Sequence, residues 1–136
     1  QDQENLYKFG EQIGLAFQLQ DDYLDVYGDP KVFGKKIGGD IISNKKTYML
    51  INAFNRADAE LRRELVHWIE SKTFDCDEKV AAVTAIYNKV GVDKLASEKI
   101  ACYFQASKKY LDAVQVGEDR KAELRLYARK MMEREY

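Results

Sequence analysis

Residues 17–45 read FQLQDDYLDVYGDPKVFGKKIGGDIISNK, and this stretch decides the fold. Its first part carries three acids, Asp21, Asp22 and Asp25, among apolar residues that recur at helical spacing. Pro30 follows, and because proline lacks a backbone donor and restricts the residue before it, the helix must end near this point. The rest of the stretch is rich in glycine and lysine. The order is therefore a helix with acids, then a long loop with cations.

The three acids and a glutamine share one face of the predicted helix. Each helical residue turns by about 100°, so with Asp21 at zero, Asp25 lies at roughly 40° and Asp22 at roughly 100°. On the same scale Gln18 lies at about 60°, and Phe17 borders the face at about −40°. Carboxylates that are crowded in this way repel one another unless a cation lies among them. The pattern therefore predicts a cation site.

The acidic face has a simpler explanation as a solvated polar surface, but its neighbours favour a cleft. They are unusually apolar and aromatic: Phe17, Leu19, Tyr23, Leu24, Val26 and Tyr27. Calcium loops alternate their acids outside helices, which this pattern does not do. The single histidine, His67, lies far along the chain, so zinc is disfavoured. Oxygen ligands alone favour Mg²⁺, held by one or two carboxylates together with substrate phosphates and water.

The loop after the acids supplies candidate contacts for an anion. Lys35 follows Gly34, and a glycine lets the backbone approach an anion closely. Lys45 is expected at the N-terminus of the next helix, where the helix dipole also favours an anion. Lys31 and Lys46 are better explained as exposed loop residues. The loop therefore offers cations of two kinds, two that fit an anion site and two that do not require one.

Asp40 is the acid within this loop, and three roles are open to it. It is expected to cap the following helix, and the alternatives are that it orients a lysine or joins a metal shell through water. Acids and cations along one stretch of chain favour a site for a metal-bound phosphate compound.

The composition is that of an ordinary globular chain. At 136 residues it is long enough for one domain but short for a complete multi-part enzyme. With a net charge of −1 and no apolar stretch that could span a bilayer, we expect no nucleic-acid partner and no stable membrane insertion. Cys76 and Cys102 lack disulfide-framework or metal-site spacing, which favours buried or unreactive thiols in a reducing compartment, the cytoplasm.

Helical periodicity extends over nearly the whole chain, and the predicted class is all-α. Helices are expected over residues 3–27, 44–55, 58–71, 78–90, 93–116 and 118–134. Ser43 or Asn44 is expected to cap the second helix, Asp77 to cap the fourth, and Gly91 to end the fourth. The second helix is expected to point three side chains inward: Tyr48, Ile51 and Phe54.

The elements FQLQDDYLD, GDP, GKKIGGDI and NK, in this order, resemble the second aspartate-rich region of the trans (all-E) prenyl diphosphate synthases. Farnesyl, geranylgeranyl and polyprenyl diphosphate synthases belong to this family. The resemblance is specific over residues 17–45 and looser over the rest of the chain. It implies an isoprenoid-synthase-type helical bundle that works as a homodimer. It also implies an enzyme that joins an allylic diphosphate to isopentenyl diphosphate and releases pyrophosphate.

The resemblance also implies roles for individual residues. The Mg²⁺ ligands would be Asp21, Asp22 and Asp25. The residues that contact the substrate would be Phe17, Gln18, Lys35, Asp40 and Lys45. The residues that carry the catalysis would be Asp21, Asp22 and Lys35. The chain has Lys35-Lys36 where many members have a single lysine, and Lys35 is preferred because Gly34 precedes it.

The family uses two aspartate-rich helices that face each other, and this chain contains one D-D-x-x-D motif. Residues 1–136 are therefore expected to be the C-terminal portion of a synthase domain, catalytic in the complete protein and inactive alone. The alternative is a non-catalytic helical subunit or regulatory partner of a complete synthase. A terpene cyclase of the same fold is disfavoured, because cyclases usually lack the loop pattern.

Overall fold

A computed structural model describes residues 1–29, 31 and 37–133 of the chain. Seven helices lie within these residues: α1 (Asp2–Tyr27), α2 (Gly39–Ile42), α3 (Tyr48–Arg56), α4 (Ala59–Glu70), α5 (Cys76–Val90), α6 (Val92–Asp112) and α7 (Glu118–Glu133). The same residues contain no strand, which confirms the predicted all-α class.

The helices form two compact units. Of the described residues, the first consists of Gln1–Asp21 and residues 97–133, and the second of Asp22–Ala96. The buried core of the first unit contains Phe9, Ile13, Leu111 and Ala128. The core of the second is larger and contains Val26, Ile41, Met49, Ala53, Leu65, Val83, Ile86, Tyr87, Val92 and Ala96. Within the second unit, α5 packs against α2, α3 and α4, so it is the helix around which that unit is built.

Side-chain caps set the helix starts in the second unit, and two of the predicted caps are wrong. Thr47, and not Ser43 or Asn44, caps α3 by accepting a hydrogen bond of 3.1 Å from the amide of Leu50. Asp75, and not Asp77, caps α5 by accepting from the amide of Glu78 at 3.0 Å. Gly91 ends α5 with φ 79°, as predicted.

The physical reason for the later start of α3 lies in the residues before it. Asn44 has a left-handed backbone with φ 58°, which cannot continue a helix. Its side-chain amide donates to the carbonyl oxygen of Ile69 at 3.1 Å, so it is committed to a contact with α4. Its side-chain oxygen, the atom that would accept a hydrogen bond in a cap, instead accepts one of 2.7 Å from Nζ of Lys79 on α5.

The inward face of α3 also differs from the prediction. Met49 and Ala53 are fully buried, whereas Ile51 is 51% exposed and Phe54 is 38% exposed. Tyr48 is partly buried against the core, so only this part of the prediction is confirmed. The prediction followed side-chain size, but a small residue such as Ala53 is what lets α3 approach α5 closely.

Two other sequence-based expectations concern the surface. Cys76 and Cys102 are free thiols, and both are exposed. Of the two predicted alternatives, buried or unreactive thiols, the first is therefore wrong. None of the helices in the described part of the chain has the length and apolar character needed to cross a membrane.

Replacing Met49 with alanine should lower the free energy of unfolding of the chain by about 2–5 kcal/mol, because a fully buried side chain leaves a cavity. Ile51→Ala on the same helix is the matched control, and it should cost less than about 1 kcal/mol because half of that side chain is already exposed. Urea denaturation followed by circular dichroism measures both. Equal losses would mean that Ile51 does face the core.

Candidate functional site

Asp25 joins the end of α1 to the start of α2. Its carboxylate Oδ2 accepts a hydrogen bond of 2.9 Å from the amide of Asp40, and its carbonyl oxygen accepts one of 2.7 Å from the amide of Gly38. Carbonyls at the end of one helix and amides at the start of the next have no partners within their own helices. The Asp25 carboxylate therefore accepts from the Asp40 amide in the first turn of α2. The Gly38 amide, just before α2, donates to the Asp25 carbonyl oxygen at the end of α1. Sequence reasoning missed this capping role, because the partners lie 13 and 15 residues apart.

Lys45 faces the acids from the segment that precedes α3. Its Nζ donates to Asp22 Oδ1 at 3.0 Å and lies 3.9 Å from Asp40 Oδ2. The Lys45 side chain is 54% exposed, against 15% for Asp22. An ion pair with one exposed partner contributes little to stability, at most about 1 kcal/mol. The lysine can therefore exchange a carboxylate for another anion at small cost.

The predicted placements of Lys45 and Asp40 need correction. Lys45 is not at a helix N-terminus, because α3 begins only after its cap, Thr47. Asp40 does not cap α3, and the residue at the cap position of α2 is Gly38. The alternative role for Asp40, orienting a lysine, agrees with its distance to Lys45.

Gly38 allows the chain to return to α1 at this place. Its φ is +95°, in the left-handed region that side chains rarely adopt. A Cβ added there would lie 2.6 Å from Cγ2 of Val80, on α5. Both the backbone conformation and the contact with α5 therefore require a glycine.

A buried lysine lies behind the site and was not foreseen from the sequence. Lys79, on α5, is 1% exposed, and its Nζ donates to Asn44 Oδ1 at 2.7 Å and to the Ile42 carbonyl oxygen at 3.3 Å. Burial lowers the pKa of Lys79, and the nearby Cys76 opposes this shift. The sequence offered one signal: Lys79 lies four residues before the core residue Val83, on the inward face of α5.

Lys79 and Lys45 line the same small cavity in the second unit, together with Asp40, Thr47 and Tyr87. Its volume of about 10 Å³ leaves room for about one water molecule. Burial raises the pKa of Tyr87 to about 12; the hydrogen bond with Thr47 opposes this rise, and the charge of Asp40 adds to it. The polar groups behind the acids are therefore packed closely.

The donor set of the second unit suits a hard cation. Asp22 and Asp25 offer carboxylate oxygens from positions three apart on one helix. Mg²⁺ is normally held by one or two carboxylates, with substrate phosphates and water completing its shell. Over the described ranges, no three acidic, histidine or cysteine side chains converge to hold a metal ion by themselves. The site therefore fits a metal that arrives with an anionic ligand better than it fits an all-protein cage.

The remaining predicted site residues lie elsewhere in the chain. Phe17, Gln18 and Asp21 lie on α1 in its part that belongs to the first unit; Gln18 is exposed and the other two are half-buried. The helix that the acids were predicted to share is confirmed, since α1 runs unbroken from Asp2 to Tyr27. Lys35 and Lys36 lie outside the described residues, so their placement stays a prediction.

The sequence of this chain matches one family model and several known proteins. The family model described as Polyprenyl synthetase matches residues 1–88. A short chain isoprenyl diphosphate synthase from Methanothermobacter thermautotrophicus is 35% identical over 132 residues, which is 96% of this chain and 39% of that protein. A farnesyl pyrophosphate synthase from Zea mays is 37% identical over 101 residues, which is 70% of this chain and 28% of that protein.

The fold of this chain also matches solved structures of geranylgeranyl pyrophosphate synthases. A crystal structure of a geranylgeranyl pyrophosphate synthase matches with a TM-score of 0.86 and 34% identity, covering 99% of this chain and 42% of that one. The geranylgeranyl pyrophosphate synthase of Corynebacterium glutamicum, complexed with isoprenyl diphosphate and magnesium, matches with a TM-score of 0.84 and 31% identity. That match covers 96% of this chain and 37% of the other. The chain thus spans well under half the length of each of these relatives.

Replacing Gly38 with alanine should lower the free energy of unfolding by about 1–3 kcal/mol, because the new side chain is strained at φ +95° and collides with Val80. Gly39→Ala is the matched control. Its added Cβ would lie 3.7 Å from Asp25 Oδ1, an ordinary contact, so the change should be neutral or stabilising by up to about 1 kcal/mol. Urea denaturation compares the two, and a harmless Gly38→Ala would contradict the described return of the chain.

Proposed function

The chain belongs to the polyprenyl synthetase family, and we propose that it supplies one side of the Mg²⁺–diphosphate site of a prenyl diphosphate synthase. Its helical bundle is of the isoprenoid-synthase type, as the resemblance predicted. The proposed reaction joins an allylic diphosphate to isopentenyl diphosphate and releases pyrophosphate. One observation carries the proposal: an exposed lysine, Lys45, is held against the acidic end of α1, so that groups for a metal and for phosphate oxygens are adjacent.

The chain's extent within the complete protein is part of the proposal. Residues 1–136 would form the C-terminal portion of a synthase domain, and the opposing acidic helix would come from the rest of that domain. Two facts support this: the chain has one D-D-x-x-D motif, and it covers 39% and 42% of two relatives that it matches almost throughout. The chain alone is expected to be inactive.

In the proposed site, the acidic side chains would bind the metal and the lysine would bind a phosphate oxygen. Asp22 and Asp25 would hold Mg²⁺, which when bound supplies Lewis-acid stabilisation of the charge on a departing pyrophosphate. Lys45 would exchange Asp22 for a phosphate oxygen, and its ammonium would stay in place as a fixed positive charge. Asp40 would keep that ammonium directed towards the site.

Other parts of the proposed site rest on the resemblance. Asp21 would complete the metal ligands, and Gln18 and Lys35 would contact the allylic group. Phe17 would line the wall beside the reacting carbons, where an aromatic face shields a carbocation from water and stabilises it.

For the complete protein we propose a cytoplasmic homodimer. The resemblance supports the dimer, and two free exposed thiols fit a reducing compartment. Light scattering of the purified complete protein measures its mass, and a monomer would contradict the proposed assembly.

In the complete protein, Asp21→Ala should lower kcat by roughly 10²–10³-fold, because a proposed ligand of the Mg²⁺ that would stabilise charge on the departing pyrophosphate is lost. Glu11→Gln is the matched control, since Glu11 is an exposed acid on the same helix, and it should leave kcat unchanged. Incorporation of labelled isopentenyl diphosphate onto an allylic primer measures both. Near-normal turnover of Asp21→Ala would remove the catalytic assignment and favour the alternative, a non-catalytic partner of a complete synthase.

In the complete protein, Lys45→Met should weaken the binding of inorganic pyrophosphate in the presence of Mg²⁺ by about tenfold, since one charged hydrogen bond is lost. Its effect on the free energy of unfolding should stay below about 1 kcal/mol, because the ion pair with Asp22 is partly exposed. Lys46→Met, at the adjacent exposed lysine, is the control and should bind as the unmodified protein does. Isothermal titration calorimetry reports the affinities, and equal affinities for both variants would contradict the role of Lys45.

A further inference from the structure

The ammonium group of Lys79 is buried without an acidic partner in the part of the chain that the structure describes. The group nevertheless has three contacts. Two donate to oxygens of residues 42–44, here called the 42–44 turn, and the group also lies 4.3 Å from the centroid of the Phe74 ring. The lysine is therefore held in one position by all of its contacts.

Stability alone does not account for a lysine at this position. A buried ammonium loses its hydration, and hydrogen bonds to neutral oxygens offset that loss only in part. An apolar side chain of similar length, such as methionine, would fill the same space beside Phe74 without this penalty. What methionine could not do is donate hydrogen bonds to the 42–44 turn.

The 42–44 turn is the part of the chain that delivers Lys45 to the acids. Asn44 adopts φ 58°, and Lys79 and Ile69 each hold its side chain by a hydrogen bond. Lys45 follows directly, its amide donates to the Asp40 carbonyl oxygen at 2.9 Å, and its Nζ reaches Asp22. A shift in the turn would therefore move the Lys45 ammonium relative to the carboxylates.

We propose that Lys79 is a positioning residue for the diphosphate site, which fixes the 42–44 turn so that Lys45 meets the phosphate oxygens. The inference rests on the proposed function, because it concerns the same site. Lys79 does not touch the ligand; it acts through Asn44 and the backbone on Lys45.

The first test measures binding of inorganic pyrophosphate with Mg²⁺ to the complete protein by calorimetry. Lys79→Met should weaken binding about tenfold, as loss of Lys45 itself should. Lys89→Met, at an exposed lysine on the same helix, is the matched control and should not change the affinity. Unchanged affinity for Lys79→Met would overturn the inference.

The second test separates positioning from a general loss of structure. If Lys79 acts through Lys45, then Lys79→Met should weaken binding less than about twofold when Lys45→Met is already present, because coupled residues are not additive. A full tenfold loss in both backgrounds would mean that Lys79 acts independently, which would overturn the inference.

Asn44→Gly keeps the test decisive if Lys79→Met does not fold. Glycine accepts φ 58° readily, so this variant removes Asn44 Oδ1, the nearer of the two acceptors of Lys79, and keeps the backbone conformation. It should weaken pyrophosphate binding in the same way and show the same dependence on Lys45; wild-type affinity would overturn the inference. Failure of the unmodified protein to bind pyrophosphate with Mg²⁺ would instead overturn the proposed function, and the inference with it.

Discussion

The pairing of Asp25 with two backbone amides is the contact on which the rest of the site depends. The amides of Gly38 and Asp40 reach the carbonyl and the carboxylate of Asp25 respectively. Groups at the ends of α1 and α2 that would lack partners within their own helices are thereby satisfied together. A hydrogen bond to a charged carboxylate is worth about 1.5–3 kcal/mol, more than an exposed ion pair contributes. The start of α2 is therefore held beside α1 mainly by the hydrogen bonds that these two amides donate to Asp25.

The contact of Lys45 with Asp22 depends on this position of α2 beside α1. Once α2 is anchored, the 42–44 turn brings Lys45 over Asp22, and Lys79 and Ile69 hold that turn from the interior of the unit. Because the turn is held through partly buried hydrogen bonds, the exposed ammonium of Lys45 does not need a strong partner of its own to stay in place. A weak partner is what a binding group requires, since the group must exchange that partner for a ligand.

The parts of the structure that the sequence predicts are those set by local patterns. Helical periodicity and the left-handed glycine at Gly91 depend on residues close in the chain, and both were predicted correctly. The caps Thr47 and Asp75 were missed because several residues near each start can accept the same hydrogen bonds. The choice among them is made by distant partners, such as Lys79, which donates to the side-chain oxygen of Asn44.

In the candidate site, too, the local pattern could be predicted and the distant contacts could not. Its acids and lysines are recognisable in the sequence because their residue types and order carry the pattern. The contact that holds Asn44 is not recognisable, because its partner Lys79 lies 35 residues further along the chain and belongs to no motif. A lysine within a helix usually remains exposed, so only the buried neighbours on its face of α5 distinguish it.

The balance of charge at the site constrains the order of binding. The carboxylates of Asp22 and Asp40 lie 3.0 and 3.9 Å from the Lys45 ammonium, and the Asp25 carboxylate accepts from the amide of Asp40. The acids at this place therefore outnumber the charge of Lys45. A diphosphate on its own would meet repulsion there, because Lys45 cannot neutralise both the acids and the phosphate oxygens. In the proposed site, a divalent cation held by Asp22 and Asp25 would offset this excess of negative charge, and Lys45 would then be available to a phosphate oxygen. If the proposed function is correct, the diphosphate should therefore bind together with Mg²⁺ or after it. The partly exposed pair of Lys45 with Asp22 would then be the contact that is exchanged.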